Sequence, residues 1–397
     1  MFMRRIPTTH LLYPILAMIL AGAVIVTSCT SNPDKVTLRV INAGSLMVPF
    51  TALEEEFESI HPDVDVQIEG HGSIQVIRQV TELGAEADVV AVADHSLIPM
   101  MMYDLSIPDT QTPYAHWCLS FATNRLGVAY TQRSEHAQEL SLDNWVEVLS
   151  RPDVKVGISD PRFDSCGYRA LMSCQLAELY YGEDSVFESV LGGFSPPITV
   201  TEQNGGYTIS IPQVLKPERI ALRGSSVALL ATVESGDVDY AFMYESVAEQ
   251  HGLEFLRLPD EIDLYTDGYL SLTADLSVEL SYQRFASVTP KFACQPIVYG
   301  LTIPNNAPHR ELALQFVEFL LGPEGQEILL RESQPALIPP EVDAPEDVPD
   351  EIKPYLGGGD SGINGPVTMS HGFDQTLTKD DDWHYPSASN EPKRGKI

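Results

Sequence analysis

Residues 36 to 94 alternate between two hydrophobic periods, and this alternation constrains the fold more than any other feature of the chain. VTLRVI at 36–41 alternates and is β-branched, which predicts a strand. Pro49 then suits the first turn of a helix, followed by Glu54, Glu55 and Glu56 near its positive end. HPDVDVQI at 61–68 ends that helix and opens a second strand. IQVIRQVTELG is amphipathic at helical spacing, with Gly84 as its stop. ADVVAVAD at 87–94 is apolar throughout, as a strand buried on both faces of a parallel sheet would be. The order β-α-β-α-β predicts an open α/β sheet.

A second unit of the same kind begins near 120. RLGVAYT and VKVGISDP read as strands, CGYRALMSCQLAELYYG as a long helix ending at Gly182, SSVALLATVESG as a helix and VDYAFMY as the strand after it. Between them, 183–220 carries Pro196, Pro197, Gly205 and Gly206 and reads largely as loop. LTIP and the helices HRELALQFVEFLLG and PEGQEILL follow. A chain of 397 residues exceeds what one core usually organises. The expected division is 36–120 for the first part of lobe I, 121–245 for lobe II and 246–340 for a return to lobe I. Residues 341–397 are acidic, rich in Pro and Gly and without periodicity, and are expected to be a disordered tail.

The N-terminus sets the compartment. Arg4 and Arg5 precede an apolar run that reaches Cys29, the pattern of an export signal. VTSC resembles a lipobox, which makes Cys29 the expected lipid anchor; an uncleaved membrane anchor is the alternative reading. Both put the body outside the cytoplasm, anchored at the outer face of the cell membrane. The net charge of −32 argues against nucleic acid, whose phosphates need clustered cations. Cys118, Cys166, Cys174 and Cys294 remain for the body, where disulfides are permissible but no pairing is fixed by the sequence. No CxxC or HExxH spacing points to a resident metal.

Four strand-to-helix junctions are rich in small polar residues: Gly44-Ser45, Gly72-Ser73, SDPRFDSCGY around Asp164, and RGSS at 223–226. Each alone is explained by helix capping, with Asp164 as an N-cap. Their repetition, two in each half, points instead to a cleft where helix N-termini meet one anion. Arg78 and Arg169 are expected to form surface pairs. Met100 to Met102, Trp117 and Trp145 are expected to pack.

AGSLMVPF, GSIQVIRQVTELG, ADVVAVADHSLI, SDPRFDSCGYRALM, DVDYAFMYESVAEQHGL and PIVYGLTIPNNA, in that order over about 36–340, resemble the archaeal-type tungstate/molybdate-binding proteins of ABC transporters. The resemblance implies a two-lobed type II periplasmic-binding-protein fold of class α/β, each lobe a mostly parallel sheet flanked by helices. It also implies a monomer that closes on an oxyanion and delivers it to a membrane permease, with tungstate or molybdate as ligand and no cofactor. By the same resemblance the oxyanion is held at Gly44, Ser45, Gly72, Ser73 and Tyr244, and Asp164 adds a carboxylate oxygen to tungsten or molybdenum. The family's second carboxylate falls at Ser226, which with Ser225 would donate hydrogen bonds to a tetrahedral ion. Glu245 could substitute only if it shared a face with its neighbour Tyr244.

Neutral hydroxyls, backbone N–H groups and helix dipoles suit a fully ionised dianion. A protonated phosphate needs an acceptor, which Asp164 could supply, so phosphate and sulfate stay as alternatives. Two other classes compete: a secreted hydrolase using Cys166, which lacks a GxSxG elbow or a nearby histidine in sequence, and an interaction protein working through the acidic tail.

Overall fold

The computed structural model describes residues 35–281 and 290–357; the stretch 1–34, where the export signal and Cys29 were expected, residues 282–289 and residues 358–397 lie outside the described residues. Eleven strands form two main sheets. They are β1 (Val36–Ala43), β2 (Val64–His71), β3 (Val89–Val92), β4 (Leu119–Thr123), β5 (Leu126–Tyr130), β6 (Val156–Ser159), β7 (Ala221–Arg223), β8 (Tyr240–Tyr244), β9 (Glu254–Arg257), β10 (Val298–Thr302) and β11 (Ala336–Val342).

The first sheet runs β2-β1-β3-β10-β4-β11 and the second β7-β6-β8-β5-β9. In both, one antiparallel strand is inserted before the last parallel one: β10 between β3 and β4, and β5 between β8 and β9. Each inserted strand is the first after the chain crosses between sheets. This repeated order is the type II periplasmic-binding arrangement, so the expected α/β fold class holds. The boundaries differ from the sequence reading. β4 still belongs to the first sheet, and β9 keeps residues 254–257 in the second, beyond the expected limit at 245.

The helices that matter to the site start where strands end. After β1 and a 3-10 turn at Gly44–Leu46 comes α1 (Met47–Ile60), and after β2 comes α2 (Ser73–Thr81). In the second lobe, α3 (Ser165–Tyr181) follows β6, α4 (Ser226–Ser235) follows β7 and α5 (Glu245–Gln250) follows β8. α1 buries Phe50, Leu53 and Phe57 on one face, and Phe57 meets Phe316 edge-on at 5.3 Å. Burying such a ring stabilises by roughly 1.5–3 kcal/mol. α3 is buried along almost its whole length and ends at Gly182, whose φ of 67° admits the left-handed C-cap that a side chain would strain.

Two expectations give way. The 183–220 stretch is not largely loop, since it holds a helix at Val186–Leu191 and a hairpin of Thr199–Gln203 with Gly206–Ile211. The hairpin turns on Asn204 and Gly205, both at positive φ, an Asn-Gly signal of the primed turn type. The hairpin continues into a four-stranded sheet with Leu276–Leu280 and Lys291–Ala293. Nor does ordered structure stop at 340: Val348 and Ile352 are buried, and Asp343 accepts from the Cys118 N–H at 2.8 Å. The spaced Pro and acidic residues of 339–354 hide two isolated apolar anchors that no periodicity announces. Trp117, Trp145, Met101 and Met102 are packed in the core as expected.

Candidate oxyanion site

The four small-residue junctions converge where the two lobes touch. Ser73 opens α2 in the first lobe, and its backbone N–H donates to Asp164 Oδ1 at 3.4 Å. Ser226 opens α4 in the second lobe, and its N–H donates to Asp164 Oδ2 at 3.0 Å. One carboxylate therefore joins the positive ends of two helices from different lobes. The Ile74 and Gln75 N–H groups, also in the first turn of α2, donate across the cleft to the Phe163 carbonyl at 3.1 and 3.2 Å.

Asp164 sits at the N-cap position of α3, as the sequence suggested, but its side chain makes no cap bond to that helix. It serves the neighbouring helices instead. Burial raises its carboxyl above the ordinary value, and the N–H groups of Ser73 and Ser226 oppose that rise. Ser225, by contrast, does cap: its Oγ accepts from Ala228 N–H at 3.3 Å.

The glycines explain how close the lobes come. A Cβ on Gly72 would lie 2.6 Å from the Phe163 carbonyl oxygen, 2.9 Å from Asp164 Cβ and 3.0 Å from the Gly224 carbonyl oxygen. A Cβ on Gly44 would meet Val227 Cγ2 at 3.0 Å and Ser226 Oγ at 3.4 Å. Both first-lobe junctions thus abut the start of α3 or α4 with no side chain between.

Behind the glycines stand hydroxyls. Ser73 Oγ accepts from the Ala93 N–H at 3.0 Å and from Ser165 Oγ at 3.2 Å. Ser165 Oγ lies 3.2 Å from Tyr244 Oη, at the end of β8. Ser45 Oγ accepts from Tyr299 Oη at 3.0 Å, and the rings of Tyr299 and Tyr244 meet edge-on at 6.1 Å. The structure thus gathers Gly44, Ser45, Gly72, Ser73, Asp164, Ser226 and Tyr244 into one cluster. Cys29 lies outside the described residues.

Arg169 departs from expectation. It is no surface pair: it is 1% exposed, and its Nη1 donates to Tyr244 Oη at 2.8 Å and to the Ala93 carbonyl at 2.5 Å. Its Nη2 lies 3.3 Å from Asp94 Oδ2, and Tyr168 Oη donates to the same oxygen. Burial alone would raise Asp94, but the guanidinium and the Tyr168 hydroxyl outweigh it and hold the carboxyl below its ordinary value. Arg169 stands one helical turn after Ser165, so the i, i+4 spacing within SDPRFDSCGYR was the signal that it shares Ser165's face. Arg78 does pair near the surface, with Glu82 at 2.6 Å.

Glu245 is engaged elsewhere, 3.2 Å from Arg125 and paired with Arg257, so it supplies no second carboxylate to the cluster. The four body cysteines are buried and unbonded to one another. Burial pushes the Cys166 thiol up, and Sγ donates to the Phe242 carbonyl, which is poor chemistry for a nucleophile. Sequence reasoning also passed over Tyr299 and Asn124; PIVYGLTIP contained the first, but an apolar strand gives no sign of which residue reaches a site 254 positions away.

Two α/β lobes joined by two crossings, meeting over a cluster of hydroxyls and helix N-termini, define a solute-binding protein that closes on its ligand. The chain belongs to the family of bacterial extracellular solute-binding proteins, whose profile matches residues 38–332. It is 41% identical over 340 residues to a solute-binding protein of Methanoculleus marisnigri, covering 82% of this chain and 92% of the relative. It is 40% identical over 324 residues to the molybdate/tungstate-binding protein WtpA of Pyrococcus abyssi, covering 80% and 88%. With WtpA of Thermococcus kodakarensis it shares 38% over 349 residues, covering 85% and 93%. Membership of this family makes the chain a solute-binding protein. Among the described residues, no helix is long and apolar enough to cross a membrane.

Proposed function

We propose that this chain captures tungstate or molybdate between its lobes outside the cytoplasm and hands the ion to an ABC permease. The observation that carries the reading is the meeting of the α2 and α4 N-termini at Asp164, beside a hydroxyl chain that links Ser73 through Ser165 to Tyr244. Hydroxyls and N–H groups from both lobes can surround a dianion, so the ion gains more from the closed form than from either lobe alone. That differential is what shifts a lobe equilibrium toward closure. The names of the Pyrococcus and Thermococcus relatives support the choice of ion.

Asp164 is the carboxylate that would approach the metal, and its repulsion from the ligand oxygens is tolerable only against the metal's charge. With Ser226 at the other position, a second protein oxygen is replaced by a hydroxyl donor. That residue favours a second reading, a site for tetrahedral oxyanions in general, sulfate and phosphate included. Cys29 would carry the lipid anchor that holds a monomeric body at the outer face of the membrane, and no catalytic step is assigned to any residue.

Calorimetric titration of residues 30–397 with tungstate, molybdate, sulfate and phosphate separates the readings. Tight binding of tungstate or molybdate with little response to sulfate is the expected result. Equal binding of sulfate supports the general tetrahedral site, and silence from all four ions overturns both.

A further inference from the structure

Two hydrogen-bond relays end on the two first-lobe serines of the proposed site. In the first, Asn124 Nδ2 donates to Tyr299 Oη at 3.1 Å, and Tyr299 donates to Ser45 Oγ at 3.0 Å. The direction is fixed at its source. Asn124 Oδ1 accepts from the backbone N–H groups of Arg125 at 3.0 Å and Ser246 at 3.4 Å, so the other terminal atom is the NH2, which can only donate. In the second, Arg169 Nη1 donates to Tyr244 Oη, Tyr244 meets Ser165 Oγ, and Ser165 donates to Ser73 Oγ. Its source is fixed too, because a guanidinium has no acceptor. At its far end Ser73 Oγ also accepts from the Ala93 N–H, which likewise cannot accept.

Counting protons gives the consequence. The second relay contains three hydroxyls and two bonds between them, so one proton is left over. With both ends accepting from pure donors, that proton leaves the relay rather than closing it. Ser73 has both lone pairs filled and its own O–H unspent. In the first relay two hydroxyls share one bond, and Ser45 is left with its O–H.

We infer that Ser165, oriented through Tyr244 by Arg169, is a positioning residue that locks Ser73 as a hydrogen-bond donor and so sets the site's preference for oxyanions that carry no proton, whereas Tyr299 with Asn124 fills one lone pair of Ser45 and leaves the other open. This rests on the oxyanion reading above and deepens it. Ser73 could otherwise turn a lone pair toward a ligand hydroxyl and accept a hydrogenphosphate. The second relay removes that option without touching the ligand. On Asp164 the N–H groups of Ser73 and Ser226 each take one lone pair, one on each carboxylate oxygen.

Ser165→Ala tests the lock on Ser73, and Tyr299→Phe, which acts on a serine with a lone pair already open, is the comparison. Each leaves its donors with a partner: Asn124 Nδ2 keeps Ser246 Oγ at 2.7 Å, and Arg169 keeps Tyr244 Oη. Molybdate, sulfate and phosphate are titrated into the full mature chain and both variants at pH 7.5, with melting curves to confirm folding. The expected result is a molybdate-to-phosphate affinity ratio that falls roughly tenfold or more in Ser165→Ala, the scale of one hydrogen bond, and much less in Tyr299→Phe, while the molybdate-to-sulfate ratio stays put. Unchanged ratios in a folded Ser165→Ala that still binds molybdate overturn the inference and leave the oxyanion reading intact. Equal loss of all three ions also overturns it, as that is damage without selectivity. If the unmodified chain binds neither molybdate nor tungstate, the oxyanion reading itself fails. Should Ser165→Ala not fold, Ser165→Cys, which replaces the hydroxyl by a weak S–H donor, decides in its place on the same readout.

Discussion

Arg169 of the second lobe and Asp94 of the first form an ion pair across the lobe junction, with Nη2 3.3 Å from Oδ2 and both side chains 1% exposed. The pair is cross-braced: Gln295 donates to Asp94 Oδ1 at 3.1 Å, and Tyr168 stacks on Phe292 with ring centres 4.4 Å apart. It ties lobe closure to the hydroxyl cluster, because the same guanidinium holds Tyr244.

Breaking that pair from one side leaves a buried charge unmatched. Asp94→Asn is expected to destabilise the protein by about 3–5 kcal/mol, read as a lower urea midpoint. Adding Arg169→Gln should cost much less than the two single changes summed, since the residues are in contact. Strict additivity in the double variant would contradict the coupling.

Gly72→Ala should fold and fail to close. The backbone at Gly72 has φ −63° and ψ 143°, which alanine adopts without strain, so the obstacle is the Phe163 carbonyl 2.6 Å away in the other lobe. Affinity for tungstate should fall by about tenfold or more, equivalent to about 1.4 kcal/mol, with the melting temperature of the unliganded protein lowered far less. Gly44→Ala meets the end of the Val227 side chain, which can turn aside, and should lose less. The reverse order of the two glycines would count against this view of the cleft.

Asp263 gives a pH dependence. Burial pushes its carboxyl up to about 6, against the Tyr265 N–H at 2.8 Å and Arg125 at 3.0 Å. The folded state therefore holds this proton more tightly than the unfolded chain, whose carboxyl titrates near 3.9. Its contribution to stability is fully present below that value and is lost as pH rises through about 6. Urea midpoints at pH 4.5 and 6.5 should differ less in Asp263→Asn than in the unmodified protein. An identical difference in both would remove Asp263 from the explanation.

Much of this was legible in the sequence, for reasons that can be named. Period and β-branching located β1, β2, β3, β6 and β8, and small-residue junctions marked Gly44, Ser45, Gly72, Ser73, Asp164 and Ser226 as the candidates that the fold brings together, because a helix that starts at a cleft needs compact residues there. Arg169 was misplaced because a charged residue on a helix is usually solvated, and only tertiary packing buried this one beside Asp94. Tyr299 and Asn124 were invisible because their roles depend on a sheet that pairs residues far apart in the chain. The 199–211 hairpin was lost because its first strand is exposed on nearly every residue and lacks the in-out alternation of a half-buried strand.

The central claim is the place where the ion sits. Crystals grown with tungstate, measured at a wavelength where tungsten scatters anomalously, locate the metal without reference to the protein density. The account predicts one strong peak between the Gly44-Ser45 turn and the α2 and α4 N-termini, with Ser45, Ser73, Tyr244 and Asp164 around it. A tungsten peak elsewhere on the chain, with none at that junction, would contradict it.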